Sequence, residues 1–306
     1  MQIMHDSTQP YRGRFAPSPT GPLHFGSLVA AVGGYLDARR NAGQWLVRIE
    51  DVDRPREVEG AADAILHMLE AYGFEWDGEV VRQSRNTSVY AAALERLQRD
   101  GAVFPCACTR REVSDSSLGA ASETIYPGTC RGGIPPGRQA RATRARVDDV
   151  PIAFEDRVQG SIEQNLAHEV GDFVVRRADG LFAYQLAVVV DDFEQGITDV
   201  VRGADLLASA PRQILLQRRL GYPTPRYAHL PAAVNQSGEK LSKQTLAAPL
   251  AASDAVLQIW SVLRFLGQGP PEELKGDGIA TLWGWALVNW RIEGVPPRLG
   301  ILAGSS

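Results

Sequence analysis

Short apolar runs alternate with helical stripes in the first half of the chain. Residues 44–49 form a compact run that is typical of a buried strand. Two sets of apolar residues at helical spacing follow it, namely Ala61, Ile65, Leu66, Leu69 and Tyr72, then Tyr90, Leu94 and Leu97. This alternation of strand and helix predicts an α/β fold with a parallel, doubly wound sheet.

The second half mixes strands and helices in the same way and ends in helices. Residues 172–177 and 181–190 lie on either side of an Asp-Gly turn and predict hairpin-like strands. Residues 211–220 predict a helix, and residues 227–231 a short strand. Two further stripes contain Val256, Ile259, Trp260, Leu263, Leu266, Leu282, Trp283, Ala286 and Trp290. We interpret their tryptophans as packing residues and not as a platform for stacked bases.

A turn rich in proline and glycine spans residues 14–27. It separates a short apolar run ending at Ala16 from a helical pattern that opens at Ser27. The turn carries the cation Arg14, the imidazole of His24 and the backbone N–H groups of a helix N-terminus. Together these predict an anion site for a phosphate or a carboxylate. Neither the Walker spacing nor G-x-G-x-x-G is present, so the common phosphate-loop and dinucleotide interpretations lose support.

Size and composition set the broad class. A chain of 306 residues can hold two modest domains, and 44% hydrophobic with 22% charged residues is typical of a soluble globular protein. No apolar run reaches the ~20 residues that span a bilayer, and residues 1–10 lack the apolar core of a signal peptide. Three cysteines, an odd number, argue for a reducing cytoplasm. A net charge of −4 means that an RNA partner needs a local basic surface.

Acidic residues follow the strand at 44–49, at the edge where open α/β sheets bind ligands. Glu50 is either a partner for a substrate ammonium or part of a solvated strand-end cluster with a helix cap. The roles of Asp51 and Asp53 stay open.

Three other residues have an ordinary structural interpretation when they are taken alone. Tyr184 is an amphipathic core residue, and Arg202 is a surface strand end. Lys243 lies three residues after the Gly238-Glu-Lys240 turn, in a segment that is typical of a mobile surface loop.

The three cysteines, Cys106, Cys108 and Cys130, lie close together in the chain. Zinc takes four soft or borderline ligands in a tetrahedron, and such clustering suits it. Three buried thiols explain the spacing equally well. For a fourth ligand His168 is distant, whereas Tyr126 lies four residues before Cys130, although a phenol with a pKa near ~10 is an uncommon ligand.

Residues 131–146 contain five arginines and no acidic residue, in a chain that is acidic overall. This segment predicts either a patch that contacts RNA phosphates or a solvated loop leading into a strand, with alternate arginines facing water.

Two of these segments carry a family resemblance that covers nearly the whole chain. Pro22-Leu-His24-Phe-Gly26-Ser27 resembles the HIGH signature of class I aminoacyl-tRNA synthetases. The preceding Arg14-Phe-Ala-Pro-Ser-Pro-Thr-Gly21 is similar to the opening of their glutamate and glutamine branch. Lys240-Leu-Ser-Lys243-Gln resembles the KMSKS loop, with a final Gln that is more typical of a truncated branch than of full glutamyl-tRNA synthetases.

The resemblance implies residues for two substrates. Those implied for L-glutamate are Arg14, Phe15, Ala16, Pro17, Ser18, Glu50, Tyr184 and Arg202, with Glu50 on the α-amino group. Those implied for ATP with Mg²⁺ are His24, Gly26, Ser27, Lys240 and Lys243, with His24 and Lys243 as catalytic residues. Arg14 and Arg202 would neutralise the two carboxylates of glutamate, since a guanidinium grips a carboxylate through two hydrogen bonds.

The resemblance also implies a class I Rossmann-like catalytic domain with a zinc-bearing insertion and a short helical C-terminal region. One structural Zn²⁺ would be held by Cys106, Cys108, Tyr126 and Cys130. The implied divisions are a tail at 1–11, half-domains at 12–105 and 171–235, the insertion at 106–170, and a KMSKS-like loop with helices at 236–306. No anticodon-binding domain is expected.

The truncated branch implies a ligase that activates L-glutamate with ATP in the absence of tRNA. It would then transfer glutamate to the queuosine base in the anticodon of tRNA(Asp), which is a tRNA modification. The alternatives are a glutamyl-tRNA synthetase that charges a 3′ terminal ribose and a catalytically silent RNA-binding paralogue. We expect a cytoplasmic monomer without a membrane partner.

Overall fold

The computed structural model describes residues 10–115, 125–241 and 248–303 of the chain. The strands of these ranges are β1 (Arg12–Phe15), β2 (Gln44–Ile49), β3 (Val81–Arg82), β4 (Val103–Cys106), β5 (Ala142–Ala145), β6 (Ile152–Asp156), β7 (Gly160–Gln164), β8 (Phe173–Arg176), β9 (Asp199–Gly203), β10 (Arg226–Leu230), β11 (Ala232–Val234) and β12 (Gly300–Leu302). The helices are α1 (Phe25–Arg40), α2 (Ala61–Ala71), α3 (Thr87–Arg99), α4 (Arg110–Asp115), α5 (Leu166–Glu169), α6 (Tyr184–Glu194), α7 (Ala210–Leu220), α8 (Ala255–Phe265) and α9 (Ile279–Asn289). Among the helices of these ranges, none has both the length and the apolarity to cross a bilayer.

A parallel sheet forms the centre of the fold. β1 pairs with β2, β2 with β3, and β9 with β10, all in parallel. The two pieces meet where the amide of Thr198 donates to the carbonyl oxygen of Arg12 at 3.0 Å. β1 and β9 therefore lie side by side and the strand order reverses between them, which is where open α/β sheets bind ligands. The predicted α/β fold with a parallel sheet is confirmed.

Apolar side chains cover both faces of this sheet. In β9, Val201 belongs to the core formed with α1, α2, α8 and α9, while its neighbour Val200 belongs to the core formed with α3, α6 and α7. In β10, Ala228 and Tyr227 divide between the same two cores. Successive strand residues point to opposite faces, so a strand buried on both sides has apolar residues at consecutive positions, as Val200–Val201 and Tyr227–Ala228 show.

The tryptophans of the C-terminal helices pack into the first core. Trp260, Trp283 and Trp290 are buried, and the indole N–H of Trp283 donates to the carbonyl oxygen of Tyr72 at 2.9 Å. The prediction that these residues serve packing is confirmed. They attach α8 and α9 to the first half of the sheet.

The prediction of a second strand in the hairpin, over residues 181–190, is wrong. β8 and the turn that follows it form as expected, but pairing ends at the single bridge between Arg176 and Phe182, and α6 begins at Tyr184. Residues 186–192 are all buried, so the run has no polar face from which a helical period could be read. Packing against α3 and α7 overrides the strand preference of three successive valines.

The segment between the two halves of the sheet has its own β-structure. β4, β5 and β8 form an antiparallel sheet. β6 and β7 form a hairpin, and Asp156 at the end of β6 pairs with Tyr227 of β10. The proposed domain boundaries stay a prediction, although β6 attaches this segment directly to the central sheet.

A close backbone contact at Gly43 yields a stability prediction. A Cβ at this position would lie 2.5 Å from the carbonyl oxygen of Tyr11, and a backbone atom cannot swing aside. We expect Gly43→Ala to lower the free energy of unfolding by about 1–3 kcal/mol, measured by urea denaturation. A matched Gly132→Ala variant, whose Cβ would have no neighbour within 4 Å among the described residues, should leave stability nearly unchanged. Equal stabilities for the two variants would contradict the prediction.

Candidate active site

His24 is the N-cap of α1, so the helix begins at Phe25, two residues before the predicted Ser27. The amide of Gly26 donates to Nδ1 of His24 at 3.1 Å, and the amide of His24 donates to Oγ of Ser27 at 2.8 Å. Because Nδ1 accepts a hydrogen bond, the neutral imidazole carries its proton on Nε2. The turn therefore presents a ring N–H donor beside the positive end of a helix dipole, which suits a phosphate.

A distant loop lies close to the start of this helix at Gly26. A Cβ on Gly26 would lie 3.4 Å from the carbonyl oxygen of Leu241, and His24 forms a backbone bridge with Pro249. The two chain segments with signature-like sequences are therefore neighbours. Lys243 itself lies outside the described residues, so its predicted role stays a prediction.

A single cavity of about 550 Å³ opens at the switch point of the sheet. Its walls contain every substrate-site residue that the sequence nominated within the described ranges, namely Arg14, Phe15, Ala16, Pro17, Ser18, His24, Gly26, Ser27, Glu50, Tyr184, Arg202 and Lys240. These come from β1, the following turn, the first residues of α1, the position just after β2, α6, β9 and the segment after β11.

Arg14 lines this cavity and is ion-paired with an aspartate. Its Nε lies 3.1 Å from Asp192, which also pairs at 2.8 Å with the fully buried Arg48. Burial by itself would raise the pKa of Asp192, but the two guanidiniums lower it, so the carboxylate stays charged. Asp192 thereby holds Arg14 in place in the wall of the cavity.

Glu50 lies beside the same network, with Arg48 at 3.4 Å. Burial raises the pKa of its carboxyl group, against the lowering effect of Arg48 and Arg14. A carboxylate that is partly desolvated and incompletely paired is a good partner for an ammonium group. Tyr184 shares this buried surrounding, which raises the pKa of its phenol and keeps it a neutral hydrogen-bonding group.

The raised pKa of Glu50 predicts a pH dependence. If Glu50 binds the α-ammonium of glutamate, its protonation removes the attraction, so the KM for glutamate should rise as the pH falls through a pKa above the ordinary value of about 4.3. Initial rates of ATP–pyrophosphate exchange, with both substrates varied between about pH 8 and pH 4.5, measure it. Glu50→Gln should have a high KM that no longer changes with pH. A glutamate KM that is flat in the wild type would contradict the prediction.

Arg202 lies on the wall of the cavity and is buried. Its Nε donates to Nε2 of His229 at 3.0 Å, while Nη1 is buried with no hydrogen-bond partner in the described parts of the chain. A buried guanidinium nitrogen without an acceptor is costly unless a ligand supplies one. Arg202 is thus suited to bind a carboxylate.

Lys240 forms an ion pair with Asp205 at 2.6 Å, and both residues line the cavity. The predicted role of Lys240 in ATP binding is not tested by this contact. Asp205 therefore holds the lysine in the wall of the cavity.

The three cysteines converge in the insertion. Their sulfur atoms all lie within 4.8 Å of one another, and the hydroxyl of Tyr126 lies 3.5 Å from Cys106 and 3.8 Å from Cys108. Two sulfurs bound to one tetrahedral Zn²⁺ at about 2.3 Å would be about 3.8 Å apart, and Cys108 and Cys130 are separated by 3.7 Å. The four side chains therefore fit the donor set of a structural zinc.

These features match a known family. The family model for the catalytic domain of class I tRNA synthetases (E and Q) matches residues 11–265. The chain belongs to that family. It is 62% identical over 295 residues to a protein named glutamyl-Q tRNA(Asp) synthetase in Dechloromonas aromatica, covering 96% of this chain and 98% of the relative. It is 60% identical over 297 residues to a protein of the same name in Aromatoleum aromaticum, covering 97% of this chain and 94% of the relative.

A solved structure agrees with the fold of this class I synthetase. The glutamate–tRNA synthetase of Elizabethkingia anophelis superposes with a TM-score of 0.80 at 24% sequence identity, over 97% of this chain and 68% of that chain. The predicted class I fold and the assignment to the ligases are confirmed by the family match.

The sequence left the roles of two acidic residues open, and in the structure of this synthetase both make contacts within the fold. Asp51 accepts hydrogen bonds from the amide of Ser84 at 2.7 Å and from its hydroxyl at 2.8 Å. Asp53 pairs with Arg56 at 2.6 Å and with Arg177 at 3.0 Å. Neither acidic residue lines the cavity, so Glu50 alone of this cluster faces the substrate site.

The arginine-rich segment of the synthetase largely holds its own insertion together. Arg131 pairs with Asp172 at 2.8 Å, and Arg138 pairs with Glu112 at 2.9 Å. Arg144 lies 3.9 Å above the ring of Tyr126 and donates to the sulfur of Cys106 at 3.3 Å. These contacts favour a structural role for the three side chains, and an RNA-contacting role for the segment stays a prediction.

Sequence reasoning missed four residues of the site: Arg48, Asp156, Asp192 and His229. Asp192 stands at the end of an apolar run and Arg48 within a strand, where an isolated charge at a position that should be buried was an available signal. His229 and Asp156 gave no such signal, because their importance comes from contact with Arg202 and with each other.

Proposed function

We propose that the protein activates L-glutamate with ATP to form glutamyl-adenylate and pyrophosphate, and then transfers glutamate to the queuosine base of tRNA(Asp). The observation that carries this proposal is a single cavity lined by the HIGH-like turn, Glu50 and Arg202. The names of the two bacterial relatives support the same acceptor.

Each end of glutamate has a partner of suitable charge in this proposal. Glu50 binds the α-ammonium, and Arg202 and the Asp192-held Arg14 bind the carboxylates. Tyr184 supplies a neutral hydrogen bond. Glutamine would lose the charge-assisted bond at the side-chain end, which favours glutamate.

Alignment and charge stabilisation account for the chemistry. The α-carboxylate of glutamate attacks the α-phosphorus of ATP, and pyrophosphate leaves. His24 donates from Nε2 and the N-terminus of α1 contributes its dipole, so the triphosphate is held in line with the nucleophile. Lys243 and Lys240 would offset phosphate charge. Mg²⁺, when bound with ATP, supplies further charge neutralisation.

We also infer that Cys106, Cys108, Tyr126 and Cys130 hold one structural Zn²⁺. Burial raises the pKa of Cys108 to about 11, and a bound cation would reverse this because it favours the thiolate. The ion would join β4 to the loop before β5. An intact thiol cluster requires a reducing compartment, so we place the protein in the cytoplasm. We also propose that it acts as a monomer.

The proposed zinc site predicts the metal content of the protein and the contribution of the phenol oxygen of Tyr126 to zinc affinity. We expect about one zinc per chain in the purified protein and almost none in Cys106→Ser. Tyr126→Phe keeps the ring but removes the oxygen, so zinc affinity should fall by at least about tenfold, the loss seen even for outer-sphere partners. Competition with a chromogenic chelator measures this. Tyr222→Phe, outside the cluster, is the matched control, and equal metal content in wild type and Cys106→Ser would remove the site.

Two assays test the proposed function. Glutamate-dependent ATP–pyrophosphate exchange without tRNA should be observed, and its absence with intact ATP binding would favour the silent paralogue. Labelled glutamate is then offered with ATP and tRNA(Asp), with and without queuosine. Labelling only of the modified tRNA supports the proposal, whereas labelling of both would favour charging of the terminal ribose.

A further inference from the structure

The guanidinium of Arg202 is held on two sides and unpartnered on the third. Nε donates to His229 at 3.0 Å, and Nη2 donates weakly to the carbonyl oxygen of Leu206 at 3.4 Å. Nη1 is the buried nitrogen that has no acceptor within the described chain. The ring of Tyr227 lies 5.4 Å from the guanidinium carbon and supports one face. The direction in which Nη1 points therefore depends on the hydrogen bonds of Arg202 to His229 and Leu206.

The contact with His229 defines the protonation of its ring. An arginine Nε always carries a hydrogen, so Nε2 of His229 must accept and cannot be protonated. The ring proton therefore sits on Nδ1, which lies 2.5 Å from Oδ2 of Asp156. Only the neutral tautomer with its proton on Nδ1 satisfies both partners.

Asp156 is itself held by the backbone. Its Oδ1 accepts amide hydrogen bonds from Val158 at 3.0 Å, Gln159 at 2.9 Å and His229 at 3.0 Å. Its other oxygen is left for the histidine ring. The carboxylate is thus fixed at the end of β6, where β6 joins the central sheet.

We propose that His229 and Asp156 are positioning residues for substrate recognition: Asp156 selects the histidine tautomer, and His229 aims Arg202 so that Nη1 binds a carboxylate of glutamate. This inference rests on the proposed function, since it names what orients the substrate-binding arginine. Neither residue lines the cavity, so both act through Arg202.

The electrostatics of the buried pair agree with this arrangement. Burial and the nearby Arg202 cation lower the pKa of His229 to about 4, against the raising effects of Asp156 and Asp205. The ring is therefore neutral near neutral pH. A neutral ring can accept from Arg202, whereas an imidazolium would repel it.

Asp156→Asn tests tautomer selection with almost no change in shape. The three backbone amides require an oxygen at the Oδ1 position, so the asparagine NH₂ group must face the histidine ring. This NH₂ group would donate to Nδ1 of His229 and so move the ring proton to Nε2. The N–H groups of His229 Nε2 and Arg202 Nε would then face each other with no acceptor between them. We expect the KM for glutamate to rise by roughly ten- to a hundredfold in ATP–pyrophosphate exchange, with the KM for ATP unchanged.

Two substitutions at His229 separate aiming from simple packing. Gln places an oxygen as many bonds from Cα as Nε2, so His229→Gln keeps an acceptor for Arg202 and should stay within about threefold of the wild-type glutamate KM. The asparagine side chain reaches only the position of Nδ1, so His229→Asn keeps the hydrogen bond to Asp156 but has no acceptor for Nε of Arg202. Its glutamate KM should rise by roughly ten- to a hundredfold.

Tyr222→Phe is the matched control, because it removes one phenol hydroxyl, while its ring stacks on Phe193 and makes no contact with Arg202, His229 or Asp156. Its KM values should not change. Thermal unfolding of each variant shows whether it is folded. The inference is overturned if His229→Asn and His229→Gln have equal glutamate KM values, or if Asp156→Asn raises both KM values together. Absence of glutamate-dependent exchange in the wild type would instead overturn the proposed function.

Discussion

Replacing Arg202 by alanine should lower kcat/KM for glutamate by roughly a hundredfold to several thousandfold. Arg202 is buried, and its Nη1 has no acceptor within the described ranges, so we propose that a carboxylate of glutamate completes its hydrogen bonding. Without the guanidinium, that carboxylate would be desolvated in the cavity with no cation beside it. The penalty for an unpaired buried charge is the reason for the large expected effect.

The measurement is ATP–pyrophosphate exchange with glutamate and ATP varied separately. The loss should appear with glutamate, while the KM for ATP should stay close to that of the wild type, because the residues proposed to bind ATP do not include Arg202. Arg202→Lys should recover little, since an ammonium lacks the planar fork and the bond to His229. Arg264→Ala, which removes a half-exposed arginine on α8, is the control. A wild-type glutamate KM in Arg202→Ala would contradict the assignment.

Asp191→Asn should lower the free energy of unfolding by about 3–5 kcal/mol. The carboxylate of Asp191 is fully buried and accepts hydrogen bonds from Gln83 at 2.8 Å, Asn86 at 2.8 Å and Tyr90 at 2.7 Å. Its charge also faces the buried Arg48 at 3.8 Å. An amide in its place would direct its NH₂ group at one of these donors and would leave Arg48 short of a counter-charge.

Urea denaturation of the whole chain measures this loss. The matched control is Asp63→Asn, which removes the charge from a pair with Arg82 at 2.9 Å where the side chain of Asp63 is 67% exposed. Exposed pairs contribute at most about 1 kcal/mol, so the control should remain close to the wild type. Similar losses for the two variants would show that burial of Asp191 does not determine its contribution.

The contrast between α6 and β2 shows where local pattern suffices. β2 was predicted at its observed position because a short apolar run between polar ends fits a strand buried on two faces. The run that became α6 is equally apolar and contains three successive valines, yet it forms a helix that packs between α3 and α7. When every residue of a segment is buried, no polar face remains to reveal the period, and packing partners decide the structure.

The site divides in a similar way. Arg14 and His24 were nominated by the turn at 14–27, and Glu50 and Arg202 by the family resemblance, and the structure brings all four to one cavity. Their supporting residues were not found, because those contacts join distant parts of the chain. Asp192 is 178 residues from Arg14, and Asp156 is 73 residues from His229. One sequence without relatives contains no sign of such pairings.

The sequence by itself determined the α/β class, most of the described helices and a few of the strands, since these depend on short-range periodicity, and its motifs nominated the residues proposed for glutamate and ATP. Only the tertiary structure decided that Arg14 is paired with Asp192, that Arg202 is aimed by His229, and that the arginines at 131, 138 and 144 have local partners. The physical reason is that the energy of a buried charge depends on what surrounds it in space, and folding sets that surrounding after the motif itself is fixed.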